Sequence, residues 1–157
     1  MPVFPDCYRC LSFMSDSVYM EMAHALAKLS KCVRLQVGCL LVKDGRVLST
    51  GVNGTPSGYV NCNEADYEDH HQWSLRHEIH AELNAVIWAA RLGTPIEGAT
   101  AYVTHSPCDQ CTKNLLAAGI RRIVYDIQYD RNPQEELSRF CRENGVAIEQ
   151  VSITKGD

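Results

Sequence analysis

Residues 80–93 read HAELNAVIWAARLG, and the arrangement of the rest of the chain follows from them. From His80 to Arg91 the stretch is apolar nearly all round (Leu83, Ala85, Val86, Ile87, Trp88, Ala89), which predicts a buried helix closed by Gly93. Downstream, residues 99–103 read as a short buried strand, 108–118 as a helix ended by Gly119, and 122–125 as a second strand. A helix over 135–143 and a last strand over 146–151 complete that half. Upstream, Ser15-Asp16 reads as an N-cap before the stripe Val18, Met22, Ala25, Leu26 and Leu29, which ends near Lys31. Residues 37–42 and 46–52 form a strand pair turned at Lys43-Asp44-Gly45, and 53–76 is irregular, rich in Gly, Asn and His. An antiparallel pair followed by alternating helix and strand predicts parallel strands added to that pair, with helices over both faces. The expectation is one three-layer α/β/α domain over residues 1–157 around a mixed five-stranded sheet, with 1–14 as an N-terminal extension.

The bulk properties narrow the class. With 157 residues, 45% of them hydrophobic, the chain is large enough for one core without disulfides. No apolar stretch approaches the length of a membrane span, and the first ten residues lack a basic segment followed by an apolar run. A cytoplasmic protein that avoids membranes is expected. The net charge is −4, whereas grip on a long nucleic acid calls for a basic face; Arg121-Arg122 is the longest basic cluster. This counts against a nucleic-acid polymer as substrate. The eight cysteines then read as metal ligands and buried thiols rather than disulfides.

His80-Ala81-Glu82 followed by Pro107-Cys108-Asp109-Gln110-Cys111 has the spacing of a zinc site with one histidine, two cysteines and a carboxylate beside it. Cys108 and Cys111, at i and i+3 on a first helical turn, turn both sulfurs the same way. Three protein ligands leave a fourth position for water, the mark of a catalytic rather than a structural zinc. Glu82 is the expected catalytic proton carrier in attack on C4 of a cytosine-type base. Positions i and i+2 do not share a helix face, so His80 must lie at the helix start with only Glu82 fully helical. A structural knuckle would want a fourth Cys or His, and a redox CxxC would not need His80-Ala81-Glu82.

Beyond this motif the chain closely resembles the deoxycytidylate (dCMP) deaminases of the phage and bacterial type, over nearly its whole length (16–151). The resemblance is carried by Cys32-Val33-Arg34-Leu35-Gln36-Val37-Gly38, Thr50-Gly51-Val52-Asn53-Gly54-Thr55-Pro56-Ser57-Gly58 and His71-Gln72-Trp73-Ser74. It continues through Glu78-Ile79-His80-Ala81-Glu82-Leu83-Asn84-Ala85, Ile96-Glu97-Gly98-Ala99-Thr100, Tyr102-Val103-Thr104, Ser106-Pro107-Cys108 and Tyr129-Asp130. It implies a cytidine-deaminase-like fold and conversion of dCMP and water to dUMP and ammonia, supplying dUMP for thymidylate synthesis. It also implies a homo-oligomer, commonly a hexamer, activated by dCTP and inhibited by dTTP. Asn53 would orient the deoxyribose and base, Tyr129 would close over the nucleotide, and Ala81 joins the substrate contacts. The glycines of the 53–58 loop let backbone N–H groups approach a phosphate, with Thr55 and Ser57 adding hydroxyls; an ordinary tight loop is the plain alternative. Asn53, Gly54 and Gly58 are the candidate effector contacts.

Some relatives that look similar here bind a second, structural zinc, which residue-by-residue matching places on Cys32, Cys62, His71 and Glu78, with His70 as the rival of His71. The alternative is four unconnected residues. Cys7-Tyr8-Arg9-Cys10 reads as two free thiols, Cys39 and Cys141 as packing, and His24 as a helix-surface residue. His105 is either a substrate contact or a solvated histidine, and Trp73 is a candidate nucleotide contact.

Overall fold

A computed structural model describes residues 7–129 and 134–153, with side chains from 15 to 129 and from 135 to 153. Its frame is set by period-two alternation in three central strands, β1 (Gly38–Lys43), β3 (Thr100–His105) and β4 (Arg122–Ile127). Leu40, Val42, Tyr102 and Val124 turn to one face and pack with Met20 and Ala23 of helix α1 (Cys7–Ala27). Cys39, Leu41, Ala101, Val103 and Ile123 turn to the other. There they meet Ala81, Ala85 and Ala89 of α3 (Ala81–Leu92), Leu115 of α4 (Asp109–Ala117) and Cys141 of α5 (Gln134–Glu143). With both faces buried, these strands carry apolar residues at successive positions.

Strands β2 (Arg46–Val52) and β5 (Ala147–Gln150) flank the sheet, whose order is β2-β1-β3-β4-β5. β1 is antiparallel to β2 and β3, and β4 is parallel to β3 and β5. This is the three-layer architecture with a mixed five-stranded sheet that the sequence predicts. The β1–β2 turn relies on positive φ at Asp44 (51°) and Gly45 (70°), as a two-residue hairpin demands.

Two glycines set how close the helices come. A Cβ on Gly38 would lie 2.2 Å from Ala23 O of α1, and one on Gly51 would lie 2.2 Å from Ala81 O of α3. α3 therefore sits on β2 backbone to backbone, and its first turn, which bears Glu82, is fixed by that contact.

The structure differs from the sequence reading in two places. α1 begins at Cys7 rather than after Ser15-Asp16, so it extends back into the expected N-terminal extension. Asp16 does not cap it: its buried carboxylate accepts from Tyr102 Oη (2.6 Å) and forms a two-pronged pair with Arg122 (2.7 and 2.6 Å), tying α1 to the sheet. Within the segment read as irregular, α2 (His70–His77) forms, with Asp69 Oδ1 accepting from the N–H groups of His71 and Gln72. No residue of α2 is fully buried, which is why it has no apolar stripe in the sequence. The thiols of Cys7 and Cys10, and all of Asp130, lie outside the described residues.

Candidate active site

His80 is the N-cap of α3, in extended backbone conformation (φ −66°, ψ 152°), and Glu82 lies one residue inside the helix. That break in conformation lets residues two apart face one point. Cys108 is likewise the N-cap of α4, where its Sγ accepts from Cys111 N–H at 3.4 Å. His80 Nδ1 lies 3.5 Å from Cys108 Sγ and 3.3 Å from Cys111 Sγ. Tetrahedral zinc with bonds near 2.3 Å to sulfur and 2.0–2.1 Å to nitrogen has an S–N edge of about 3.5 Å. The donor set and its spacing therefore fit zinc, with His80, Cys108 and Cys111 as holders.

Charge in this cluster is unevenly held. A hydrogen bond from Cys111, opposed by burial and helped by His80, brings the Cys108 thiol down to about 4. Cys111 moves the other way, raised by the same bond and by burial. The bond to Cys108 raises His80. Glu82, 5% exposed, is raised from its usual range by burial, which suits a carboxyl that takes up and returns protons.

A cavity of about 360 Å³, within the range of small-ligand sites, opens over this cluster at the C-terminal ends of β3 and β4. Its wall includes Asn53, Ala81, Glu82, His105 and Tyr129, together with Arg34. Asn53 is oriented by the backbone: Oδ1 accepts from Val37 N–H (2.8 Å) and Nδ2 donates to Leu35 O (2.7 Å). Thr55 and Ser57 are not on this wall. The Thr55 hydroxyl donates to Asn61 Oδ1 (3.3 Å), Ser57 is exposed, and the loop turns toward a second concavity lined by Thr55, Tyr59, Trp73, Arg76 and His77. Trp73 likewise belongs there, stacked on His77 at 4.6 Å. Gly54 is held by a bridge to Ile79, and Gly58 takes φ +89°. Arg34 belongs to no catalytic motif; its place in Cys32-Val33-Arg34-Leu35, beside a candidate ligand, is the sequence signal for it.

The second cluster forms with one change. Ligand atoms of Cys32, Cys62, His70 and Glu78 lie within 4.8 Å of one another. His70, not His71, is the histidine: His70 Nε2 and Glu78 Oε2 each lie 3.7 Å from Cys32 Sγ, while His71 is exposed. The reason is helical. His70 and His71 are successive residues of the first turn of α2, about 100° apart around its axis, so only one can face Cys32. Cys62 donates to Lys31 O (3.6 Å) and is pushed up to about 11, chiefly by burial. His24 is not a free surface histidine: its Nε2 lies 2.7 Å from Asp126 Oδ2.

Known proteins place this geometry. The family described as "Cytidine and deoxycytidylate deaminase zinc-binding region" matches residues 14–127. The deoxycytidylate deaminase of Enterobacteria phage T2 is 38% identical over 156 residues, covering 76% of this chain and 83% of that protein. ComE operon protein 2 of Bacillus subtilis is 37% identical over 141 residues, covering 88% and 71%. A crystal structure of the dCMP deaminase of cyanophage S-TIM5 in complex with dCMP and dUMP superposes with a TM-score of 0.71 at 28% identity, covering 96% of this chain and all of that one. The chain belongs to the zinc-binding cytidine and deoxycytidylate deaminase family.

Proposed function

We propose that the protein hydrolyses dCMP to dUMP and ammonia. The observation that carries this is the convergence of His80, Cys108 and Cys111 beside buried Glu82, under a nucleotide-sized cavity with Arg34 on its wall. When bound by these three residues, zinc supplies the Lewis acidity that brings the pKa of a water to about 7. Glu82 takes a proton from the attacking water as the new C4–O bond forms and delivers it to N3. It then moves the remaining proton from the new C4 hydroxyl to the exocyclic nitrogen, so that the C4–N bond breaks, the C4 carbonyl forms and neutral ammonia leaves. Asn53, fixed by two backbone bonds, orients sugar and base. Arg34 supplies the cation for the 5′-phosphate, the part first assigned to Thr55 and Ser57, and Tyr129 closes the cavity.

Cys32, Cys62, His70 and Glu78 hold a second, structural zinc that ties α2 and its flanking loop to the end of α1. The regulatory reading is activation by dCTP and inhibition by dTTP in a cytoplasmic homo-hexamer. Resemblance supports it, and so does the second concavity, where exposed Tyr59 offers a stacking surface and Arg76 a cation beside the 53–58 loop. Ammonia release from dCMP, measured beside cytidine, dCTP and a short cytosine-containing oligonucleotide, tests the substrate. Activity confined to dCMP, and reduced by about 10²–10⁴-fold in Glu82→Gln, is expected. Activity on the oligonucleotide alone would overturn it.

A further inference from the structure

We propose that Thr104 locks His105 in the neutral tautomer with its proton on Nε2. This N–H, on the wall of the catalytic cavity, donates to the O2 carbonyl of the bound pyrimidine; that second half rests on reading the cavity as a pyrimidine nucleotide site.

The lock follows from counting protons. Thr104 is fully buried at the end of β3, and its Oγ1 accepts from Gly38 N–H at 3.2 Å. The same oxygen lies 2.9 Å from His105 Nδ1. A hydroxyl has one proton to give, and a buried one requires an acceptor. Among the described residues, Nδ1 is the acceptor in reach. The Thr104 hydroxyl therefore donates to Nδ1, that nitrogen is unprotonated, and a neutral ring must carry its proton on Nε2. The opposite tautomer would leave the Thr104 proton buried without a partner. The Gly38 amide is held in place by α1, because the strand backbone lies against Ala23 where a Cβ would come within 2.2 Å of a carbonyl.

Neutrality has a second support. Burial and nearby His24 disfavour the imidazolium, against a weaker pull from Asp126, so the pKa of His105 falls below its usual value. A neutral ring is a poor phosphate anchor beside a guanidinium, and Arg34 already offers one on the same wall. With Arg34 assigned to the phosphate and Asn53 to the sugar, the acceptor assigned to His105 lies on the base. Cytosine presents two acceptors, the ring nitrogen N3 and the carbonyl oxygen O2, and Glu82 serves N3. O2 is left, and His105, three residues before the ligand Cys108, stands on the wall that carries the metal cluster. His105 is thus a binding residue and Thr104 its positioning residue.

Two measurements test the two halves. Nitrogen-15 NMR of the imidazoles in the intact protein should show the His105 proton on Nε2 near neutral pH. Thr104→Val should shift it toward Nδ1, and Thr104→Ser should restore the wild-type pattern. A wild-type proton on Nδ1, or a cationic ring at pH 7, refutes the lock. For the contact, kcat/KM is compared between dCMP and its 2-thio analogue, whose sulfur is a weak acceptor. The wild type should lose about 3–10-fold on exchange of oxygen for sulfur, the value of one neutral hydrogen bond, and His105→Phe should lose almost nothing further. Equal losses in both proteins refute the contact with O2. A wild type inactive on dCMP refutes the proposed function and the O2 contact together, whereas the tautomer spectrum judges the lock independently.

Discussion

Gly51→Ala adds one methyl group where β2 meets the first turn of α3. The new Cβ would lie 2.2 Å from Ala81 O, 2.5 Å from Ala85 N and 3.1 Å from Ala85 Cα. Non-bonded carbon contacts settle near about 3.5–4.0 Å, so a gap of about 1 Å or more must open. All three atoms are backbone, and no side chain can rotate out of the way. Either β2 bends or the start of α3 lifts. Overpacking costs about 1–3 kcal/mol, and a clash with two backbone polar atoms belongs at about 3 kcal/mol. For a domain of this size that lowers Tm by about 6–12 °C. Lifting the turn also moves Glu82, the neighbour of Ala81, and a displacement of about 1 Å in a catalytic group is worth about 10²-fold in rate. Thermal melting and ammonia release, both followed below the variant's Tm, provide the assay. Gly54→Ala, where nothing lies within 4 Å of the added carbon, serves as the stability control and should melt with the wild type. A Gly51→Ala protein with wild-type Tm refutes the packing argument. One that melts early yet keeps full kcat refutes the link from β2 to Glu82.

Zinc content measured per chain should be two in the wild type and in His71→Ala, and one in His70→Ala, because only His70 faces Cys32 and Glu78; the reverse pattern would restore His71 as ligand. Stability should also fall in acid through Asp16. Burial raises the pKa of its carboxyl, but hydrogen bonds from Arg122 and Tyr102 and the Arg122 charge outweigh this and hold it below the usual value. As pH drops through the ordinary aspartate range near 3.9, the unfolded chain takes the proton first, so the contribution present at neutral pH is lost progressively as the lowered folded pKa is approached. Asp16→Asn should cost about 2 kcal/mol at pH 7 and flatten the acid limb of a urea-melt series; an unchanged limb refutes the assignment.

Much of this was legible in the chain because it is local. The apolar runs 83–89 and 39–42 and the turn Asp44-Gly45 are nearest-neighbour signals, and they place α3 and the β1–β2 hairpin within a residue or two. α2 was not legible, since a short helix without buried residues shows no stripe, and its cap Asp69 was one polar residue among many. Asp16 misled for the opposite reason. As a sequence letter it resembles a cap, and its partners Tyr102 and Arg122 lie 86 and 106 residues away.

The sequence by itself determined the reaction centre. His80-Ala81-Glu82 and Cys108-Asp109-Gln110-Cys111 each sit at a helix start, where local backbone geometry turns the side chains within each motif the same way, and the packing of α3 and α4 on one sheet face brings the two motifs together. Tertiary structure decided what surrounds that centre. It chose His70 over His71 by helical phase, turned Thr55 and Ser57 away from the catalytic cavity, and brought Arg34 to its wall. The physical reason is one of range. Ligands three residues apart are positioned by a single turn of helix, whereas the facing of a loop or the choice between adjacent histidines depends on distant segments packing against them, and no short stretch of sequence records that packing.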